Sequence, residues 1–333
     1  MAETNSSYPF ASARVKAIEN KLITKEKLNR LIESRDYDAA MRQLAEFGYG
    51  QSAGAAGSGS FEALIVRELA ETDALLEALS PSDVFTRIMR AEKDYYNIKV
   101  LIKLLMQDKP LDSVTLVPGN LSEDTLRRAI TENNYYDLPE AMKEALQYID
   151  RQFTVAADAS IIGLAMDRAY AKEVSALVSE MRNPLVSDYF TAFFDMTNII
   201  ALMRIRAAGL PKESFERACV QGGNIDKRTL SDAFELSVES IPSAVAKGVY
   251  STVLSAAFDD FMKTGSLYAM EKSRDDYLMS LLREQKHDMF GIGPLMGYYI
   301  AKQREAAAVR LVMTAKLGGI DSDVVTHRLK DLL

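Results

Sequence analysis

The sequence predicts an all-α protein made of three similar helical units closed on one another, and three observations carry that prediction. Apolar residues recur three and four apart along runs such as "SARVKAIENKLITKEKLNRLIES" and "PEAMKEALQYIDRQF", and no strong strand alternation appears. The phrase "GNLSEDTL" at 119–126 is nearly repeated as "GNIDKRTL" at 223–230. A third copy of the same pattern is divided between the two chain ends.

Taken in chain order, the part of that third copy met first is its second half, "ITKEKLNRLIESRDY" from Ile23, with Thr24 placed to cap a helix. The stretch "GYGQSAGAAGSGS" at 48–60 then reads as a linker or long loop. The complete copies follow. "DYYNIKVLIKL" from Asp94 returns as "DMTNIIALMRI" from Asp195, 101 residues on. Gly119, Asn120, Thr125, Leu126 and Ala129 return as Gly223, Asn224, Thr229, Leu230 and Ala233 at a spacing of 104, with Ser122 and Asp226 at the matching cap position. "LPEAM" from Leu138 matches "IPSAV" from Ile241 at 103. Near the C-terminus, "EAAAVRLVMTAKLGGID" from Glu305 supplies the half that the N-terminus lacks.

Segments 97–106, 198–206 and 308–317 are apolar on most faces, as a helix buried at the centre of its unit should be. Each is followed by a breaker: Pro110, Gly209 with Pro211, or Gly318–Gly319. A repeat that starts at the C-terminus and finishes at the N-terminus is what a ring of three units gives when the chain is opened inside one of them. The expected units are 1–81 with 291–333, then 82–182, then 183–290.

Bulk composition sets further bounds. A chain of 333 residues is long for a single core. The net charge of -7, with basic residues interleaved among acids, argues against nucleic-acid binding. A single cysteine, Cys219, permits no internal disulfide and points to a reducing, cytoplasmic setting. No secretory h-region opens the chain, and no stretch of 18 residues lacks charge, so no transmembrane segment is expected.

Catalytic and cofactor chemistry finds no foothold. No phosphate loop, dinucleotide fingerprint, zinc-protease or serine-hydrolase motif occurs. Glu284 and His287 form one E-x-x-H, but the second that a di-iron bundle needs is missing, and His327 follows Asp323 instead. Cys219 reads as a buried structural thiol. The pairs Asp94/Asn97 and Asp195/Asn198 could form a carboxylate–amide site. They belong to the repeat, however, and a polar tie between a central helix and its neighbour accounts for them better. The tyrosines do not alternate with basic residues and read as core edges.

"PLMGYYIAKQREAAAVRLVMTAKLGGI", "DYYNIKVLIKLL" followed by "PGNLSEDTL", and the N-terminal "YPFASARVKAIENKLIT" together resemble the C subunit of the V-type (archaeal/vacuolar-type) ATPase, which is related to the d subunit of the eukaryotic enzyme. The likeness runs from about residue 8 to the C-terminus. It implies a funnel-like body of three units and a non-catalytic central-stalk adaptor, peripheral to the membrane. The partners implied are the rotor shaft subunits and the membrane ring of ion-carrying subunits, with no cofactor and no small-molecule substrate. Arg14, Lys16 and Lys21 on the first helix are the candidate contacts with the ring; an ordinary solvated face explains them equally well. The alternative from another class is a helical-repeat scaffold for protein–protein interactions, which would stack openly rather than close. Whether protons or sodium ions are carried, and whether ATP is made or consumed, stay open.

Overall fold

The computed structural model describes residues 7–50, 60–153 and 159–329. Within them every regular element is helical, with sixteen α-helices and three short 3-10 turns. The chain separates into two compact units, Met1–Ser82 with Asp275–Leu333, and Asp83–Arg274.

The first unit contains α1 (Ser7–Ile18), α2 (Lys25–Glu33), α3 (Tyr37–Glu46) and α4 (Phe61–Leu79). The long amphipathic run at the N-terminus is two helices rather than one. A 3-10 turn at Glu19–Lys21 intervenes, Leu22 is non-helical (φ -58°, ψ 144°), and the Thr24 hydroxyl accepts the Lys27 N–H at 3.3 Å to start α2. Tyr49 is buried. Gly50, inside the expected linker, is held by its neighbours: its N–H donates to Glu68 at 2.7 Å, and its carbonyl accepts from Arg67 at 2.7 Å. The rest of that stretch, 51–59, lies outside the described residues.

The second unit runs through α5 (Asp83–Met106), α6 (Glu123–Glu132), α7 (Glu140–Phe153), α8 (Ser160–Met181), α9 (Pro184–Ala207), α10 (Lys212–Ala218), α11 (Lys227–Phe234), α12 (Ile241–Val245) and α13 (Val249–Thr264). Helix α14 (Tyr268–Glu284) contains the boundary, after which α15 (Gly293–Leu317) and α16 (Ser322–His327) complete the first unit. The matched segments "LPEAM" and "IPSAV" open helices of different length, 14 residues in α7 and 5 in α12. Gly248, at φ 59°, breaks the chain after α12, and α7 has no glycine to do so.

Helices α5, α9 and α15 each anchor a separate apolar core. Ile98, Leu101 and Ile102 pack with Leu126, Ile130 and Met142. Ile199, Leu202 and Met203 pack with Phe215, Leu230 and Ile241. Val309, Val312 and Met313 pack with Leu28, Leu31 and Leu44 from the opposite end of the chain. Burial does not reach the helix ends: Leu105, at 52 % exposure, and Leu317, at 60 %, are open to solvent.

All three helices stop in the same way. The next turn has a left-handed residue, Asp108 (φ 51°), Gly209 (φ 66°) or Gly319 (φ 64°). The N–H that follows it, on Lys109, Leu210 or Ile320, reaches back to the carbonyl of Leu104, Ile205 or Ala315 at 3.0, 3.1 and 2.9 Å. The stop signal in α5 is therefore Asp108, before Pro110 is reached. Asp is one of the few side chains that tolerate this conformation.

Candidate functional site

The most distinctive polar feature occurs once in each core. Asp94 on α5 accepts the N–H groups of Asn120 at 3.0 Å and Leu121 at 3.1 Å. Asp195 on α9 accepts the N–H of Ile225 at 2.8 Å and the Tyr250 hydroxyl at 3.1 Å. Glu305 on α15 accepts the N–H of Ile23 at 2.5 Å. Leu121, Ile225 and Ile23 hold the same place in the repeat, just ahead of the caps Ser122, Asp226 and Thr24. Each central helix thus fixes the entry to a short helix of its own core with a buried carboxylate.

The glycines follow from this geometry. A Cβ on Gly119 would overlap Oδ1 of Asp94, and one on Gly223 would overlap Oδ1 of Asp195. In the split copy the acid is one methylene longer and the matching residue is Lys21. The amides complete the tie in two copies. Asn97 exchanges hydrogen bonds with Val117 N–H (3.0 Å) and carbonyl (2.7 Å), and Asn198 does the same with Val220 at 2.9 and 2.8 Å. These pairs are structural ties, as their place in the repeat suggested.

The far ends of the short helices are held in two of the copies. Arg206 on α9 donates to the carbonyls of Phe234, the last residue of α11, and Leu236 beyond it, and Lys316 on α15 donates to the carbonyl of Ser34 beyond α2 at 2.6 Å. A cation at the C-terminal end and a carboxylate at the N-terminal end both suit the helix dipole.

In the first unit the split copy is joined by buried charge. Lys302 Nζ lies 2.6 Å from Glu68 and 2.5 Å from Glu305, all three being nearly inaccessible, and it stands 5.3 Å from the Tyr49 ring centre. Burial pulls the Lys302 ammonium down, but Glu305 and Glu68 outweigh it and hold its pKa above the usual lysine value. Burial likewise raises the Glu305 carboxyl against the opposing pull of Lys302. A separate bond joins the Tyr299 hydroxyl to Asp73 at 2.9 Å.

Among the sequence candidates, Arg14 and Lys21 are exposed and have no ion pair among the described residues. Lys16 is half-buried in a local charge cluster. It lies 3.4 Å from Glu19 and 3.5 Å from Nδ1 of His287, and Glu19 also holds Lys286 at 3.5 Å. Lys16 is therefore already engaged within its own unit. Sequence reasoning missed Glu68 and Lys302; the i,i+3 spacing of Lys302 and Glu305 was the available signal for one pair. Cys219 is buried, and burial raises its thiol pKa. Among the described residues no group of three or more His, Cys, Asp or Glu side chains could hold a metal ion, and no helix is long and apolar enough to cross a membrane.

Comparison with known proteins gives the family. The chain is 22% identical to the C subunit of the A-type ATP synthase of Methanocaldococcus jannaschii, over 98% of this chain and 86% of that one. It is 22% identical to the C subunit of the V-type sodium ATPase of Enterococcus hirae, over 96% of each. It is 25% identical to the C subunit of the A-type ATP synthase of Thermococcus onnurineus, over 98% of this chain and 90% of that one. Residues 11–328 match the family described as the ATP synthase (C/AC39) subunit, and the chain belongs to that family.

Proposed function

We propose that this chain, an accessory and non-catalytic subunit of a V/A-type ATPase, is the central-stalk adaptor that links the rotor shaft to the membrane ring of ion-carrying subunits. The observation that carries the proposal is the family match over residues 11–328. The geometry supports it in a second way. An adaptor must transmit torque without shearing, and three buried carboxylates with full apolar cores beneath them make stiff local joints. We take the chain as three units, 1–81 with 291–333, 82–182 and 183–290, in a pseudo-threefold funnel, because three separate cores repeat one set of ties. The subunit sits on the cytoplasmic side, peripheral to the membrane. Arg14 and Lys21 are the exposed cations of its first helical region that meet the ring, with Lys16 beside them.

The test measures ATP hydrolysis and ion uptake together, with and without this subunit, in the presence and absence of an agent that blocks the ring. Removal should leave hydrolysis by the head running and make it insensitive to the blocker, while ATP-driven transport stops. Ion pumping that continued without the subunit would refute the coupling role. For the surface, reversing the charge of Arg14, Lys16 and Lys21 together should weaken assembly in a salt-dependent way. Unchanged assembly at low and high salt alike would dismiss these three residues.

A further inference from the structure

The second unit contains a cavity of about 540 Å³ that neither the ties nor the adaptor role uses. Its apolar side comes from α7 and α8, with Ala145, Tyr148, Ile161 and Leu164. Its opposite side is the loop from Cys219 to Lys227, which Asn198 holds at Val220 and Asp195 holds at Ile225. Gly222 of that loop, at φ 103°, packs so closely on Ser175 and Phe194 that no side chain fits there.

Six charged residues line the cavity, and three of them are already committed. Lys172 is paired with Glu144, and Asp226 accepts the N–H and hydroxyl of Thr229 as the cap of α11. The remaining three are all cations: Arg168 from α8, Arg217 from the last turn of α10, and Lys227 at the start of α11. None of them has a carboxylate partner among the described residues.

The three cations are exposed to solvent and gather around one space, giving it a net positive field that attracts a ligand of opposite charge. Four cations against Glu144 and Asp226 leave the lining with two net positive charges, of which a monocarboxylate would meet one. A phosphoryl group brings nearly two negative charges and three acceptor oxygens, which suit guanidinium forks. The volume lies within the range of about 300–1,000 Å³ seen for small-molecule sites. We propose that this cavity binds a phosphate-bearing molecule, with the phosphoryl group held by Arg168, Arg217 and Lys227 and any apolar portion resting on Tyr148, Ile161 and Leu164. The site binds without turnover, and its ligand is either a free phosphorylated compound or the headgroup of an anionic phospholipid.

The test titrates the full chain with inorganic pyrophosphate by calorimetry at low ionic strength. In parallel, it measures sedimentation with vesicles of phosphatidylcholine alone or mixed with phosphatidylglycerol. The variants are Arg168→Gln with Arg217→Gln, Lys227→Gln alone, and Arg128→Gln as a control removing a charge from the exposed Arg128–Asp124 pair. Saturable one-to-one binding of pyrophosphate, weakened about tenfold or more in the double variant, severalfold in Lys227→Gln and unchanged in the control, is expected for a free ligand. Vesicle binding that needs phosphatidylglycerol and shows the same variant order, without pyrophosphate binding, assigns the site to a lipid headgroup. Absence of saturable binding to both probes would overturn the proposal. So would equal losses in the control and the cavity variants. Should the double variant lose its thermal transition, Lys227→Gln against the control decides alone.

Discussion

At Asp94, two backbone N–H groups favour the ionised carboxylate while burial opposes it, and burial wins: the pKa is pushed up from 3.8 to about 6. Because the folded value lies above the unfolded one, the native state binds this proton more tightly. The stabilisation is complete below about pH 4 and is lost as pH rises through 6. Replacing Asp94 with Asn removes the titration. The stability of the wild type relative to Asp94→Asn should therefore rise on acidification from pH 7 to 4, by on the order of 2 kcal/mol. Urea unfolding at several pH values measures it, and parallel curves for the two proteins would contradict the assignment. Lys302 differs in kind, since its charge is compensated on both sides. Lys302→Ala leaves Glu68 and Glu305 facing each other in the core and should cost about 3–5 kcal/mol in chemical denaturation. A loss below about 1 kcal/mol would mean that water already reaches the site.

A helix is held at its ends as well as along its apolar face, and in this protein the supports come from a neighbouring helix. Helices α2 and α11 receive a carboxylate ahead of their first turn and a cation beyond their last. Helix α6 receives only the carboxylate, because Leu105 occupies the place of Arg206 and Lys316. Its own Arg127 instead donates to the carbonyls of Leu111 and Val114. On the core-facing side of the central helices, Leu101 and Leu202 are completely buried. Leu101→Asp or Leu202→Asp places an unpaired charge among methyl groups, at a cost of several kcal/mol. Each variant should lose its cooperative thermal transition. A transition near that of the wild type would show these faces to be exposed.

On the scale of the whole molecule, the distribution of core residues along the chain predicts which pieces fold alone. The unit Asp83–Arg274 contains both parts of its two cores. The core of the other unit joins Leu28, Leu31 and Leu44 to Val309, Val312 and Met313, and its charge network joins Glu68 to Lys302. A fragment of residues 83–274 should therefore be helical by circular dichroism and melt cooperatively. A fragment of residues 1–82 should be largely unfolded until residues 275–333 are supplied with it. Cooperative folding of 1–82 by itself would show that its apolar face needs no partner from the C-terminus.

The sequence by itself determined the helical class, the repeated unit and the caps. Those rest on local chemistry: three- and four-residue apolar spacing, and a short oxygen-bearing side chain three residues before the N–H it accepts, as at Thr24, Ser122 and Asp226. It also paired the two chain ends, because the halves of one repeat can be matched without knowing where they lie in space. Tertiary structure decided what the repeated acids do inside this molecule. The repeat aligns Glu305 with Asp94 and Asp195, but only the fold shows it reaching the equivalent N–H at Ile23. Asp108 ends α5 with a left-handed turn that a search for glycine or proline passes over. Glu68 meets Lys302 across more than two hundred residues, and the cations at 168, 217 and 227 line one cavity from three different helices. No periodicity records such meetings, because they depend on how helices pack and not on how any one of them is written.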